Sequence, residues 1–405
     1  MNIKQERQLI LLLAAINFTH IMDFMVIMPL GPQLMELFNI SAVQFGVLVS
    51  SYTAAAAISS LSVAFVLDRF DRRTMLIWGY GLFLIATLAC ALATSFEMLL
   101  IARIAAGTFG GLLGVIVQTI IGDVVPFERR GDAMGKLMAA FSVATVAGVP
   151  TGLIAATYFG WHAPFWMLVI IGALVFAYAW INVPRLNTHI STDKQAVFAT
   201  FARILSKPVY GLAYCFTAAM MFTGFVVIPF ITIYVQGNLQ VPAEQVPWIY
   251  FVGGVATLIS SPIIGKVADK IGKSRTYITL ALLSTIPLVV LTHLPMLPLW
   301  MVLVVTSVFF VMVSGRMIPA MAVITQVPSS AERGAFMSLN NSVQSAAMAL
   351  GSVVGGWLAN GGDGNLVSFG LNGWVAAVSS VVSIMLFMLL MEKIKVQSAA
   401  STSLK

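Results

Sequence analysis

Three charged side chains stand inside long apolar runs of the chain: Asp23, Arg103 and Arg316. A charge at the centre of a lipid-spanning helix costs at least about 2.5–3.5 kcal/mol on insertion scales. Each of the three is therefore a candidate for function by default. Asp23 is the only acid within such a run, and it lies one helical turn beyond His20. A carboxylate there can carry a proton or hold a cationic substrate, with Arg103 or Arg316 as its partner. The competing account is a static ion pair that fixes helix packing. His20 reads first as a packed core histidine and second as a proton shuttle. Polar residues in the same apolar runs are candidates to line a cavity, because in lipid they face other helices or water. These are Asn17, Gln44, Tyr52 and Gln118, and later Asn340, Asn341 and Gln344, of which Asn340 and Gln344 share one helix face by i,i+4 spacing. Phe24, Met25, Met28, Met220, Met221 and Phe222 offer soft apolar contacts.

Other chemistries lack their residues. The four histidines, His20, His162, His189 and His293, are scattered, and no His-Glu-x-x-His, Gly-x-Ser-x-Gly or Cys-x-x-Cys is present. No Gly-x-x-x-x-Gly-Lys loop for ATP occurs either. Cys90 and Cys215 sit in apolar stretches and read as small buried hydrophobes. No metal, cofactor or enzymatic activity is expected.

The elements that position these residues follow from composition. Of 405 residues, 59% are hydrophobic and 9% charged, against roughly 25% charged in a soluble domain. Such a chain needs lipid as its solvent, and in lipid only helices or closed barrels satisfy the backbone. The runs are too long and uniform for barrel strands. Twelve helical spans are expected, at about 8–30, 43–67, 74–94, 97–122, 133–159, 162–182, 208–236, 244–268, 275–293, 296–324, 333–359 and 368–391. The first apolar run is too long for a cleaved signal peptide.

Charge sets the orientation. With the N-terminus inside, 20 of the 22 lysines and arginines fall in cytoplasmic segments, and Arg103 and Arg316 are the other two. The outer loops hold Glu36, Glu97, Glu244 and Asp363. The net charge of +7 is spread over short loops rather than gathered on a face, which argues against nucleic acid as a partner. The expectation is an all-α membrane protein with both termini cytoplasmic, in the inner membrane of a bacterium. Residues 183–207 are the longest polar stretch. They read as a cytoplasmic linker between two six-helix halves, 1–182 and 208–405.

The halves repeat. Asp68-Arg69-Phe70-Asp71-Arg72-Arg73 follows the second run, and Asp269-Lys270-Ile271-Gly272-Lys273 follows the eighth. Gly148 and Gly152 lie 17 and 21 residues after Gly131, and Gly351 and Gly355 lie 17 and 21 after Gly334. Two matches in register point to internal duplication, which places a substrate site between the halves near the midplane. Arg103 lies 28 residues before Gly131 but Arg316 lies 18 before Gly334, so Arg316 breaks the pseudo-symmetry.

These features resemble the major facilitator superfamily along essentially the whole chain. The Asp-Arg-x-x-Arg-Arg loop resembles its signature between the second and third helices, with Ala64 and Asp71 where glycines are usual; the second copy keeps Gly265 and Gly272. Arg103 with Gly107 resembles its fourth-helix motif. Gly148-Val149-Pro150-Thr151-Gly152 resembles the fifth-helix motif of drug/proton antiporters and sugar-efflux (arabinose-efflux-permease-like) members, with Val149 separating the usual Gly-Pro. The resemblance implies an alternating-access secondary transporter and a cytoplasmic latch of Asp68, Arg72 and Asp123, repeated at Asp269. It favours proton-coupled efflux of a small organic molecule by a monomer. Uptake of a sugar or metabolite by symport or facilitation is the alternative. A membrane enzyme or a transporter-like sensor is remote, since no catalytic cluster and no long soluble segment is present.

Overall fold

The computed structural model describes residues 3–66, 70–126, 129–184, 203–329, 332–359 and 366–403. Among them no strand occurs. The long helices in chain order are α1 (Ile3–Val26), α2 (Ala42–Val66), α3 (Arg72–Ala91), α4 (Phe96–Val124), α5 (Arg130–Val143, Ala144–Gly148 and Val149–Phe159) and α6 (Ala163–Asn182). They continue as α7 (Pro208–Phe225, prolonged through short turns to Tyr234–Asn238), α8 (Val246–Ile271), α9 (Lys273–Leu283 and Thr285–Thr292) and α10 (Leu299–Gly315 and Met317–Ile324). The last two are α11 (Arg333–Ala359) and α12 (Phe369–Ser403).

Eleven of these units are long and apolar enough to cross a membrane, by length and composition, among the described residues. They are all but α11. That helix has 27 residues, about 40 Å at 1.5 Å per residue, but Asn340, Asn341, Ser342 and Gln344 dilute its apolarity. Large hydrophobic side chains point outward along the bundle, among them Ile58, Ile101, Phe159, Leu174 and Ile181. An apolar surface of this extent is stable only against lipid. The chain is therefore a multi-pass membrane protein.

Proline and glycine set the interruptions. The first apolar run was expected to continue to residue 30, but α1 ends at Val26, and a separate short helix, Gly31–Phe38, follows. Pro29, Gly31 and Pro32 account for the break, since proline cannot donate within a helix. In α5 a widened turn, Ala144–Gly148, precedes Pro150. Pro287 and Pro319 follow the breaks of α9 at Ser284 and of α10 at Arg316; each leaves the carbonyl four residues earlier without its helical donor. Gly272 caps α8 at φ +105°, a conformation that favours glycine.

The paired glycines pack in corresponding ways. A Cβ at Gly148 or Gly152 would press on Met22 and Val26 of α1. A Cβ at Gly351 or Gly355 would press on the backbone of α7 at Phe222 and Val226. The fifth helix thus lies on the first as the eleventh lies on the seventh. Between α1–α6 and α7–α12, the glycine-tight approaches are Gly31 to Ile233, Gly46 to Ser352, Gly254 to Val146 and Gly356 to Ala42. All four lie toward the end of the bundle that carries Glu36, Glu97 and Glu244.

Candidate functional site

The Asp23 carboxylate and the Arg103 guanidinium meet in a fully buried ion pair. Arg103 Nη1 donates to Asp23 Oδ2 at 2.8 Å and to the Asp23 carbonyl oxygen at 3.0 Å. Both side chains are 0% exposed. The Thr87 hydroxyl of α3 lies 3.3 Å from Asp23 Oδ1 and 3.0 Å from the Phe83 carbonyl oxygen. Three helices, α1, α3 and α4, thus converge on one charge pair. Burying two charges requires that their remaining donors and acceptors be used, yet Arg103 Nε and Nη2 have no hydrogen-bond partner among the described residues. Part of the guanidinium instead faces an aromatic ring: its carbon lies 4.4 Å from the centroid of Tyr52 on α2.

Tyr52 joins this pair to a cavity. The cavity holds about 180 Å³ and lies between α1, α2, α4 and α11. His20 and Phe24 enter it from α1, Tyr52, Thr53 and Ser60 from α2, Gln118 from α4, and Asn341, Gln344 and Ser345 from α11. The Tyr52 hydroxyl is buried without a partner. His20 Nδ1 lies 3.3 Å from the Asn17 carbonyl oxygen, while its other edge faces Gly110 and Gly114. These glycines make the wall. A Cβ at Gly107 or Gly111 would overlap the backbone of α2 at Tyr52 or Ala56, and one at Gly110 would overlap the Tyr52 hydroxyl. Their absent side chains let α4 approach α2 closely enough for Arg103 to reach the ring. Gly148 and Gly152 likewise serve helix packing, and Pro150 lies in a separate groove between α5 and α8.

Of the residues singled out from the sequence, Asp23, Arg103, His20, Phe24, Tyr52, Gln118, Asn341 and Gln344 come together around this cavity. Gln44, Asn17 and Asn340 do not line it. Gln44 is not a cavity residue. It is exposed at the start of α2, where its Oε1 accepts from the Ser41 amide at 2.9 Å and its own amide donates to Ser41 Oγ at 3.3 Å. Ser41-x-x-Gln44 is a capping box. Asn17 is buried and donates to the Leu137 carbonyl oxygen at 3.2 Å, clamping α1 to α5 rather than lining the cavity. Asn340 is buried beside the α11 face of the cavity, and neither atom of its amide has a partner.

Arg316 is not the partner of Asp23. It lies among α7, α9, α10 and α12, donating to Ser284 Oγ, Ser380 Oγ and the Met220 carbonyl oxygen at 3.3, 3.0 and 3.3 Å. In the expected latch, Arg72 Nε donates to Asp123 Oδ2 at 3.1 Å, which ties α3 to α4. Asp68 lies outside the described residues. Asp269 is exposed at the end of α8, in no ion pair among the described residues. An ion pair not foreseen holds the start of α11: Lys207 Nζ lies 2.6 Å from Glu332 Oε2, and the Tyr210 hydroxyl donates to the same oxygen at 2.7 Å. Lys207 and Tyr210 hold the Glu332 carboxyl below its usual range, and Glu332 in turn raises the Lys207 ammonium.

Thr87, Thr53, Ser60 and Ser345 were missed. A signal existed for the last three. Tyr52, Thr53, Ala56 and Ser60 recur at helical spacing, as do Asn341, Gln344, Ser345 and Met348, so each set marks one face.

Known proteins place this architecture. The chain is 24% identical over 387 residues to the uncharacterized MFS-type transporter YceJ of Bacillus subtilis (strain 168), covering 94% of this chain and 96% of that protein. It is 27% identical over 342 residues to YwfA, another uncharacterized MFS-type transporter of the same organism, covering 82% and 81%. In structure it is similar to a bacterial homolog of the human lysosomal transporter Spinster in an inward-facing and occupied conformation. There the TM-score is 0.78 and the identity 17%, over 97% of this chain and 98% of that one. It is also similar to a D-xylose-proton symporter, with TM-score 0.74 and identity 19%, over 94% and 96%. The family profile described as Major Facilitator Superfamily matches residues 13–228 and 214–404, and the chain belongs to that superfamily.

Proposed function

We propose that this protein is a proton-coupled secondary transporter that exports a small organic molecule across the bacterial inner membrane by alternating access. Twelve spans, α1–α12, form two six-helix halves, 1–182 and 208–405, joined by a cytoplasmic linker at 183–207, with both termini inside. In this arrangement α11 also spans, which completes the twelve. Its polar residues face the cavity and α2 rather than lipid, which is why composition alone understates it. The corresponding glycine contacts of α5 on α1 and α11 on α7 support the duplication.

The observation that carries the function is the Asp23–Arg103 pair behind a cavity wall. A proton and Arg103 compete for one carboxylate. When Asp23 takes a proton, Arg103 keeps only the Asp23 carbonyl oxygen and the Tyr52 ring. The guanidinium charge is then felt at Tyr52, which faces the cavity. Substrate in the cavity and proton on Asp23 are thereby coupled through two contacts. The four glycine-tight approaches seal the end bearing Glu36, Glu97 and Glu244, and in the proposed topology that end is the outside. The cavity is then in its inward-facing arrangement, ready to load from the cytoplasm.

Export rests on the likeness of the Gly148–Gly152 segment to antiporter motifs. Uptake by proton symport is the second reading. It is favoured by the neutral hydrogen-bonding groups that line the cavity, since Asp23 is occupied by Arg103 and leaves no acid free for a cationic substrate. Proton flux in everted vesicles separates the two. With a panel of cationic, neutral and sugar-like solutes, an exporter releases protons from energised parent vesicles, and Asp23→Asn at matched expression does not. Equal responses from both proteins would leave Asp23 a structural role only. A proton-coupled solute response confined to right-side-out vesicles would make the protein an importer.

A further inference from the structure

Arg316 is a buried cation without an anion. It is 1% exposed, and among the described residues it forms no ion pair. Its Nη1 and Nη2 donate to two serine hydroxyls and one backbone carbonyl, and its Nε has no acceptor. Both hydroxyls are already polarised toward a shared acceptor. Ser284 Oγ donates to the Ala281 carbonyl oxygen at 2.8 Å and Ser380 Oγ donates to it at 3.0 Å. The nearby Tyr277 hydroxyl is tied to Ser383 Oγ at 2.8 Å. Among the described residues, every hydrogen-bond partner of the guanidinium is a neutral group. The contrast with Arg103 is direct, because that arginine has the Asp23 carboxylate at 2.8 Å.

A guanidinium does not release its proton inside a protein, so burial cannot neutralise it as it can a lysine. An uncompensated charge in a water-poor interior is strongly unfavourable. The site nevertheless holds hydrogen-bond donors suited to an anion: the open Nε–H, the second Nη2–H, and two hydroxyls that can turn from Ala281. Two of the four surrounding helices are interrupted at this level, α9 at Ser284 and α10 at Arg316 itself. An interrupted helix can adjust to admit a small ion more readily than a continuous one.

We infer that Arg316, Ser284 and Ser380 form a binding site for one small monovalent anion, a halide or a carboxylate group. The site is separate from the Asp23–Arg103 pair and does not depend on the direction of transport. Its test needs no flux. The purified full chain in nanodiscs is unfolded by heat in sodium gluconate, and chloride or formate replaces gluconate at constant ionic strength. Gluconate is too bulky for the site. The parent is expected to gain about 3 °C or more in Tm at a hundred times Kd, and the gain should grow with the logarithm of ion concentration. A gain with chloride assigns an inorganic ion. A gain with formate alone assigns the carboxylate of an organic molecule.

Arg316→Gln is expected to lose the response, and Arg316→Lys to keep it at weaker affinity. Ser380→Asp supplies a carboxylate within the chain. It should raise Tm in gluconate and abolish the gain from chloride or formate, which keeps the test informative if Arg316→Gln does not fold. Equal Tm of the parent in all three salts would overturn the site. So would an undiminished response in Arg316→Gln, or a Ser380→Asp protein less stable than the parent in gluconate.

Discussion

Arg103 stands 4.4 Å from the centre of the Tyr52 ring while its other side holds Asp23 at 2.8 Å. One arginine thus touches both the group proposed to carry the proton and a wall of the cavity.

The pair should behave as a unit in stability. Removing one partner of a buried ion pair costs about 3–5 kcal/mol, because the other charge is stranded, whereas replacing both can be near neutral. Asp23→Asn and Arg103→Met are each expected to lower the thermal midpoint in detergent. The double variant should recover more than half of either loss. Losses that simply add would show that the two side chains are not coupled.

Tyr52→Phe and Gln44→Ala should separate cavity from scaffold. The Tyr52 hydroxyl has no partner, so its removal is expected to change stability by less than about 1 kcal/mol. It should raise KM for the transported solute. Gln44→Ala dismantles the Ser41 capping box and should lower stability by about 0.5–2 kcal/mol while leaving KM unchanged. The reverse pattern of KM values would return Gln44 to the cavity.

Glycines in α4 and α8 should respond oppositely to alanine. Gly107→Ala forces a Cβ into the Tyr52 backbone, and expression of folded protein should fall sharply. Gly265→Ala meets nothing within 4 Å, and the position lies within α8. It should stabilise by up to about 1 kcal/mol through helix propensity. Fluorescence-detected gel filtration after a heat step reads both.

The Lys207–Glu332 bridge gives a pH signature outside the membrane. The Glu332 carboxyl is lowered from 4.5, so its stabilisation is present at neutral pH and lost as pH falls through the lowered value. The Lys207 ammonium is raised from 10.5, so its share persists up to that pH and is lost only above the raised value. Glu332→Gln should therefore reduce thermal stability at pH 7, and the difference from the parent should vanish in strong acid. Lys207 is half in solvent, so salt should weaken the effect. A difference unchanged from pH 7 to pH 3 would rule the bridge out as its source.

The apolar runs located the helices because lipid permits little else for a chain of this composition. The same rule hid detail. Residues 27–30 are apolar, so the run concealed the end of α1, although Pro29 and Pro32 announced it. Gln44 looked like a polar residue within a span, yet Ser41 three positions earlier marked a helix start. Asp23 was legible as a buried acid, but its partner was not. Arg103 and Arg316 are equally apolar in setting along the chain, and only the packing of α4 on α2 and α1 decides between them. Thr87 gave no signal, because one threonine in an apolar helix resembles any other.

The interruptions are shared unequally between the two sides of the molecule. Helices α1 to α4 run without a break, whereas α7, α9 and α10 each change course partway. A continuous helix resists bending, and an interrupted one yields where a backbone hydrogen bond is already missing. Helices α1 to α4 should then move as a stiff lever, with most of the flexing absorbed near Ser284 and Arg316. Under the proposed scheme the two six-helix halves differ in compliance, and the stroke is driven from the side proposed to hold the proton.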